Sequence, residues 1–254
     1  MSLQQLQNIT GQVRKGTLDI GGFHYPMGLA HGVLQALYSG YNKITAIEFG
    51  VGTGGSFKNL LKAAEYYSKT FNLEIDVYGF DNGTGLPDPI PGYKDHPEIW
   101  SQGQFVAPNL EVWQTQLPPW AHFVVGDINK TIPEFNKKFA QGDSKVAFVS
   151  VDVDYYSSSA AALKIFEMPA TCYVPAVPVH MDDIISLITF SKYAGQELAI
   201  NEFNDAHELR KLERKDHFRI QNFHVCHVFD HPIRTGEVKP LQPFEIHFDG
   251  PLAL

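Results

Sequence analysis

A cluster of four glycines separates a run typical of a β-strand from a run typical of an α-helix, and it constrains the fold more than any other feature. The strand candidate is 44–49, the helix candidate is 57–67, and the glycines between them are Gly50, Gly52, Gly54 and Gly55. Glycine is needed where the backbone takes a positive φ or approaches a ligand closely. A helix that starts at such a turn presents free N–H groups and the positive end of its dipole. The pattern predicts a turn that binds a carboxylate or a phosphate.

Short β-rich runs alternate with amphipathic helical stretches along the chain, which predicts an α/β fold with crossover helices. Strand candidates after 44–49 are 75–80, 122–125, 146–151 and 176–180, followed by β-like runs at 218–229 and 244–248. Pro175 and Pro178 weaken the prediction at 176–180, because proline cannot donate a ladder hydrogen bond. The stretch 184–211 is predicted to be largely helical, in two pieces.

The domain organisation follows from length and composition. The chain has 254 residues without a repeat or a linker, so we expect one domain over 1–254. An insertion at about 83–120 is rich in proline and glycine and contains all three tryptophans, Trp100, Trp113 and Trp120. A loop of that length inside a compact domain is usually functional or partly ordered. The insertion is either a lid over a pocket or a surface excursion whose aromatic rings pack on the core.

The charge, the hydrophobic pattern and the cysteine content argue against a nucleic-acid partner, a membrane span and secretion. A net charge of −8 argues against a nucleic-acid partner, which would need clustered Lys and Arg. No apolar run is long enough for a membrane helix, and residues 1–15 lack the apolar segment of a secretory signal. The two cysteines, Cys172 and Cys226, show no framework spacing, which predicts a cytoplasmic protein. We expect a small-molecule acceptor as the partner, and a homo-oligomer is compatible with the sequence.

Two classes of cofactor use a glycine turn of this kind. Gly50, Gly52 and Gly55 fit the G-x-G-x-x-G pattern of dinucleotide-binding proteins. Glu48, together with Gly50, Gly52 and Gly54, fits the acidic-x-G-x-G-x-G pattern of methyltransferases that use S-adenosylmethionine (SAM). Glu48 favours SAM, because a carboxylate at the strand end can meet the cationic end of SAM and would repel a pyrophosphate. A plain strand-to-helix turn without a ligand is the structural alternative.

Two further acids follow the next strand candidates. Asp81 closes the second strand candidate and can accept hydrogen bonds from ribose hydroxyls, in either cofactor class. Asp127 follows the third strand candidate, at the position expected for a contact to the adenine amino group. A loop aspartate that caps the next turn would explain Asp127 nearly as well.

More carboxylates follow the fourth and fifth strand candidates. Asp152 and Asp154 come after the fourth, and His180, Asp182 and Asp183 lie at the end of the fifth. Ligands of open α/β sheets bind beyond the carboxyl ends of the strands, so these acids should meet near the glycine turn. Mg²⁺ takes oxygen ligands of this type and could lower the pKa of a substrate hydroxyl. Asp154 and His180 are candidates for the general base; helix caps are the alternative role for the acids.

Five segments in this order resemble the macrocin O-methyltransferase family, which methylates sugars and antibiotics with the help of a metal. Segment 48–56 is similar to the family's E-x-G-V-x-x-G-G-[ST], 79–87 to F-D-S-F-E-G-L-P, and 150–158 to L-D-G-D-L-Y-E-S. Segment 180–183 falls at the I-I-D-D metal pair, and 195–203 resembles a later helix of the form G-x-x-x-A-I-x-x-F. The chain departs from the pattern at Ser157, where the family has Glu, at 82–84, and at 173–178, which lacks a Gly-Gly pair.

The resemblance implies a Rossmann-like fold with a mostly parallel, seven-stranded sheet and helices on both faces. It also implies SAM as the donor and Mg²⁺ held by one aspartate of the fourth strand together with Asp182 and Asp183. A nearby carboxylate or histidine would be the general base. The expected activity is O-methylation of a hydroxyl on a sugar or secondary metabolite. An NAD(P)-dependent oxidoreductase and a catalytically inactive SAM-binding protein are the alternatives.

Overall fold

A seven-stranded sheet with the order β3-β2-β1-β4-β5-β7-β6 forms the centre of the protein. The computed structural model describes residues 3–107, 110–184, 189, 191–215 and 222–241. The strands are β1 (Lys43–Phe49), β2 (Glu74–Asp81), β3 (Ala121–Val125), β4 (Lys145–Val151), β5 (Ala176–Met181), β6 (Arg210–Arg214) and β7 (Phe223–Val228). Strands β1 to β5 pair in parallel, and β7 runs antiparallel between β5 and β6. The expected mostly parallel, seven-stranded α/β fold is confirmed.

Eight α-helices connect or flank the strands in the described part of the chain. They are α1 (Leu3–Arg14), α2 (His24–Ser39), α3 (Gly55–Phe71), α4 (Leu110–Gln116), α5 (Ile128–Phe139), α6 (Tyr156–Ala162), α7 (Gly195–Ala206) and α8 (Pro232–Thr235). Short 3₁₀ turns follow α6 at Leu163–Glu167 and Ala170–Cys172. None of the helices that the structure describes combines the length and apolar character needed to cross a bilayer.

The strand order places the functional edge of the sheet. Strand β1 lies between β2 and β4, because the chain continues from β1 to β2 and β3 on one side and then crosses to β4 on the other. In open α/β sheets a crevice forms at the carboxyl ends of the strands where the order reverses in this way. Strands β1 and β4 are buried along nearly their whole length, as expected for central strands of a parallel sheet covered on both faces. The base of the crevice is therefore formed by the buried centre of the sheet.

The five strand predictions from 44–49 to 176–180 are confirmed. Strand β5 tolerates Pro178 because its pairing with β4 begins only at Val179. The helical prediction for 184–211 is right for α7, but 191–194 are not helical, and Arg210 and Lys211 belong to β6. Pairing with β7 and burial of Leu212 explain the difference, since both depend on partners distant in sequence. Of the β-like run 218–229, the structure describes 222–229, and β7 covers all of it except the two end residues; 244–248 lies outside the described residues.

The insertion at about 83–120 contains one helix, α4, and a series of turns. Its residues 86 and 103–104 pair through backbone hydrogen bonds, from Leu86 N–H to Gln104 C=O and from Gly103 N–H to Leu86 C=O. Both cysteines are buried and free. A single domain over 1–254 stays a prediction.

Candidate functional site

A cleft of about 930 Å³ opens at the carboxyl ends of the parallel strands. Its walls come from the turn after β1, the ends of β2 to β5, and the insertion. The lining includes Gly50, Gly52, Asp81, Trp100, Phe105, Asp127, Asp152, Asp154, Asp182 and Asp183. All of the predicted site residues except Glu48, Gly54 and His180 therefore lie on the cleft wall.

The glycine turn is held tightly against the end of β4. Gly50 has a φ of 85°, and a Cβ atom on it would lie 1.6 Å from the carbonyl oxygen of Asp152. Gly54, the residue before α3, has a φ of 80°, and a Cβ there would lie 2.7 Å from the ring of Trp113. L-residues with side chains rarely adopt such φ values. Close packing and backbone conformation thus both require glycine at these two positions.

Asp81 holds the turn in place from the end of β2. Its Oδ2 accepts hydrogen bonds from the N–H groups of Val51 and Gly52, each at 2.9 Å. Its Oδ1 accepts a third from Gly83 N–H at 2.7 Å. Three amide donors compensate the negative charge locally. Asp81 is therefore both a wall of the cleft and the anchor of the glycine turn.

Glu48 lies one layer behind the turn and is fully buried. Its Oε1 accepts a hydrogen bond of 2.9 Å from the hydroxyl of Tyr25, which comes from α2. Burial raises the pKa of Glu48 to about 8, although the hydroxyls of Ser56 and Tyr25 partly oppose the shift. Glu48 is thus largely protonated at neutral pH in the protein alone, and a cation nearby would favour its ionised form.

Asp127 follows β3 and has two contacts of its own. Its Oδ1 accepts hydrogen bonds from the backbone N–H of Asn129 at 2.9 Å and from the side-chain amide of Asn129 at 3.2 Å. It is therefore the N-cap of α5, and the same residue lines the cleft. The structural and the ligand-binding interpretations of Asp127 are compatible.

Three carboxylates meet where β4 and β5 end side by side. Asp152, Asp182 and Asp183 each place one oxygen within 4.8 Å of the others. The backbone explains this convergence, because Asp152 N–H donates to Phe49 C=O and Asp182 N–H donates to Val151 C=O. The turn after β1, β4 and β5 are thereby fixed relative to one another. An all-oxygen donor set of this size fits a hard divalent cation such as Mg²⁺.

The electrostatics of these acids also fit a cation. Burial raises the pKa of Asp152, and the neighbouring Asp182, Glu48 and Asp154 raise it further. Burial and the adjacent aspartates likewise raise the pKa of Asp183 well above its ordinary value. Burial raises the pKa of Asp182, while His24 acts in the opposite direction. A divalent cation would remove the repulsion that produces much of this effect.

Asp154 stands next to these three acids in an unusual backbone conformation. Its φ is 59°, and its N–H donates a 2.9 Å hydrogen bond to Asp183 Oδ2. Burial raises the pKa of Asp154 to about 6, whereas its contact with Asp183 lowers it. Positive φ at a residue other than glycine is uncommon and often marks a functional site.

His180 lies behind the acids and is almost fully buried. Its Nδ1 is 3.3 Å from Ser150 Oγ, and its Nε2 is 3.7 Å from Asp182 Oδ1. Its ring packs on that of His24 with 4.8 Å between centroids. Burial lowers the pKa of His180 to about 3, and His24 and His224 lower it further. His180 is therefore neutral near pH 7 and does not line the cleft.

Sequence reasoning missed two contributors from distant helices. Tyr25 of α2 reaches Glu48, and Gln196 of α7 accepts from Asp183 N–H at 3.0 Å while donating to Val151 C=O at 3.2 Å. Gln196 is almost completely buried, and it lies in the 195–203 segment that resembles a family helix. For Tyr25 the local sequence offered no signal, because its role depends on a strand 23 residues away.

The insertion is anchored to α6 through a buried aspartate. Asp95 accepts hydrogen bonds from Ser157 N–H at 2.8 Å and from Ser157 Oγ at 2.7 Å. It also accepts one from Ile90 N–H at 2.9 Å. Ser157 is the position where the pattern of the macrocin O-methyltransferase family has Glu. This departure from the family pattern therefore falls on the residue that anchors the insertion.

No family model and no curated protein matches this chain, but solved structures with the same fold exist. The calicheamicin methyltransferase CalS11 is 18% identical, with a TM-score of 0.58 over 88% of this chain and 90% of that chain. The O-methyltransferase NovP is 16% identical, with a TM-score of 0.56 over 88% of this chain and 98% of that one. A second CalS11 structure, described as a TDP-rhamnose 3'-O-methyltransferase, has a TM-score of 0.50 at 16% identity, covering 88% and 92% of the two chains. At these identities the likeness shows a shared fold.

Proposed function

We propose that the chain is a SAM-dependent O-methyltransferase that uses Mg²⁺ and methylates a hydroxyl of a sugar or secondary metabolite. The observation that carries the proposal is one cleft that joins a glycine turn, anchored by Asp81, to three convergent carboxylates. The fold shared with CalS11 and NovP supports it. The order of the five motif segments supports a relation to the macrocin O-methyltransferases.

The donor half of the proposed site is formed by the turn after β1 and the acids that follow β2 and β3. Gly50 and Gly52 let SAM approach the backbone, whereas Gly54 does not line the cleft and serves the turn into α3. Asp81 binds the ribose hydroxyls and Asp127 the adenine amino group. Glu48 contributes a negative charge behind the turn when the cationic sulfonium is bound.

The metal half is formed by Asp152, Asp182 and Asp183, which would hold Mg²⁺. When bound, the ion lowers the pKa of the acceptor hydroxyl. Asp154 is the proposed general base, because burial shifts its pKa toward neutrality and a base works best near the operating pH. His180 is too deeply buried for that role.

In the proposed reaction the acceptor hydroxyl gives its proton to the Asp154 carboxylate. The acceptor oxygen forms a bond to the methyl carbon of SAM as the carbon–sulfur bond breaks. The electron pair of that bond goes to sulfur, and S-adenosylhomocysteine (SAH) leaves as the neutral thioether. The protein contributes mainly by holding donor and acceptor in line.

Calorimetry with purified protein tests the two halves separately. We expect a heat of binding on titration with SAM and with SAH, and none with NADH. We also expect Mg²⁺ binding that is lost when Asp182 and Asp183 are both changed to Ala. That double variant should keep its SAM affinity, and Asp205→Ala, at an exposed position on α7, is the matched control. Heat with NADH but not with SAM would reject the proposal in favour of an oxidoreductase. SAM binding without turnover on any acceptor would indicate an inactive SAM-binding protein.

A further inference from the structure

The charges on the cleft wall have one sign. Seven aspartates line the cleft, and no Lys, Arg or His is found among the described lining residues. Six of the seven follow the strands of the sheet or the turns after them, while Asp88 belongs to the insertion. A wall of one charge inside low-dielectric surroundings produces a field that attracts cations and repels anions.

A bound metal reduces this negative field without reversing it. One divalent cation held by Asp152, Asp182 and Asp183 offsets two of their three charges. The carboxylates of Asp88 and Asp154 stay outside this group. The sulfonium of SAM adds one positive charge that is consumed in the reaction. The acceptor therefore meets a surface that carries excess negative charge before and after methyl transfer.

At the starts of two helices beside the acids, backbone amides that could bind a phosphate donate to carboxylates of the protein itself. The first turn of a helix is a common place for a phosphate. At the start of α6, beside the acids, Ser157 N–H and Ser157 Oγ both donate to Asp95. At the start of α5, Asn129 N–H donates to Asp127. A phosphorylated acceptor would have to displace a carboxylate at either position.

The insertion gives the cleft an apolar wall. Ile90, Ile99, Trp100 and Phe105 line it, and the rings of Trp100 and Phe105 pack edge to face at 5.8 Å. Phe105 is 54% exposed and Ile90 36% exposed. Exposed apolar side chains beside a polar site often mark a ligand-binding surface. This wall fits an apolar or aromatic portion of an acceptor.

We infer that the acceptor is a hydroxylated compound with an apolar portion, uncharged or amino-bearing, and that phosphorylated and nucleotide-linked sugars are rejected. The inference rests on the proposed function and deepens it by naming the charge class of the acceptor. Repulsion from like charges across an interface weakens binding substantially. The carboxylates of the cleft thus select against a diphosphate group.

A matched set of ligands tests the inference by calorimetry on protein loaded with SAH and Mg²⁺. The set consists of an aryl rhamnoside, an aryl glycoside of an amino sugar, and dTDP-rhamnose. We expect either aryl glycoside to bind at least about tenfold more tightly than dTDP-rhamnose at low salt, with a smaller ratio at high salt. Equal or tighter binding of dTDP-rhamnose would overturn the inference.

A charge-reversal variant keeps the test decisive even when the wild-type protein binds none of these sugars measurably. Asp88→Lys, at an exposed position of the insertion, should raise the affinity for dTDP-rhamnose about tenfold. Asp205→Lys, away from the cleft, should not change it. An Asp88→Lys variant that folds, as judged by its melting temperature, and gains no affinity for dTDP-rhamnose would refute the charge argument. Because binding rather than turnover is read, this outcome is independent of the SAM titration that tests the proposed function.

Discussion

The two halves of the cleft floor are built from the same residue type, aspartate after a parallel strand, yet they balance charge in opposite ways. In the donor half, Asp81 accepts three backbone hydrogen bonds from Val51, Gly52 and Gly83. In the metal half, Asp183 is buried and Asp152 is half-buried next to other acids, and both have raised pKa values. The protein itself neutralises the first half and leaves the second half for a cation to neutralise.

This difference indicates what each half contributes to folding. The donor half is preorganised, because the bonds of Asp81 shape the turn before any ligand arrives. The metal half is retained at a cost in stability, since buried carboxylates of like charge destabilise the folded state. Replacing Asp81 should therefore lower both ligand binding and stability. Replacing an acid of the metal half should lower activity but raise stability.

The largest effect is expected for Asp183→Asn. Loss of one carboxylate should reduce Mg²⁺ affinity and lower methyl transfer by roughly 1000-fold, in keeping with the several kcal/mol that a metal contributes to catalysis. The metal-free variant should nevertheless be more stable than wild type by about 1–2 kcal/mol at pH 8, because a buried charge is removed. The asparagine oxygen can still accept the hydrogen bond from Asp154 N–H.

Denaturant unfolding in the presence of a chelator, together with a Mg²⁺ titration, measures both quantities for Asp183→Asn. Asp205→Asn, on the exposed face of α7, is the control and should leave both unchanged. A metal-free Asp183→Asn protein that is less stable than wild type at pH 8 would show that the acids do not repel one another in the folded protein.

A smaller effect of the opposite sign is expected for Asp81→Ala. Three N–H groups lose their acceptor, which should lower the free energy of unfolding by about 1–3 kcal/mol. SAM affinity should fall by about ten- to hundredfold as the turn loses its anchor and the ribose loses its acceptor. Mg²⁺ affinity should stay close to that of wild type. Parallel calorimetric titrations with SAH and Mg²⁺ measure this separation, and an equal loss of both would contradict the division into two halves.

The donor turn and the acid cluster were predictable because each depends on local sequence. The strand at 44–49 and its glycines define the turn, and the acids after β4 and β5 must meet because neighbouring parallel strands end at the same edge. Asp152, Asp182 and Asp183 are accordingly the three residues whose oxygens converge. Local pattern also predicted β5, despite its proline.

Other parts depend on partners that are distant in the chain. The first two residues of β6 were included in the predicted helical stretch 184–211, because only pairing with β7 defines them as part of a strand. Tyr25 supports Glu48 from α2, and Asp95 anchors the insertion to α6. Nothing near these residues in sequence indicates their partners. The burial of Glu48 was equally inaccessible, because the covering element is formed by a segment far upstream.

The smallest change in ligand binding is expected at Glu48, whose titration makes stability and donor binding depend on pH. Its pKa in the folded protein is about 8, above the ordinary value of 4.5, so the folded state holds a proton that the unfolded state has released. Stability should therefore decrease as pH rises from about 4.5 to 8, by at most about 1.4 kcal/mol per pH unit. Glu48→Gln should flatten this decrease.

The same residue should make the binding of SAM depend on pH in a way that the binding of SAH does not. Ionised Glu48 attracts the sulfonium of SAM, whereas SAH is a neutral thioether. The ratio of SAM to SAH affinity should thus rise between about pH 7 and 9 in wild type and stay constant in Glu48→Gln. In Tyr25→Phe the hydrogen bond to Oε1 is lost, so the pKa of Glu48 should be higher and the rise should begin at higher pH. A constant ratio in the wild-type protein would show that the charge of Glu48 does not reach the donor, and the metal half would then be the only part of the floor where charge selects the ligand.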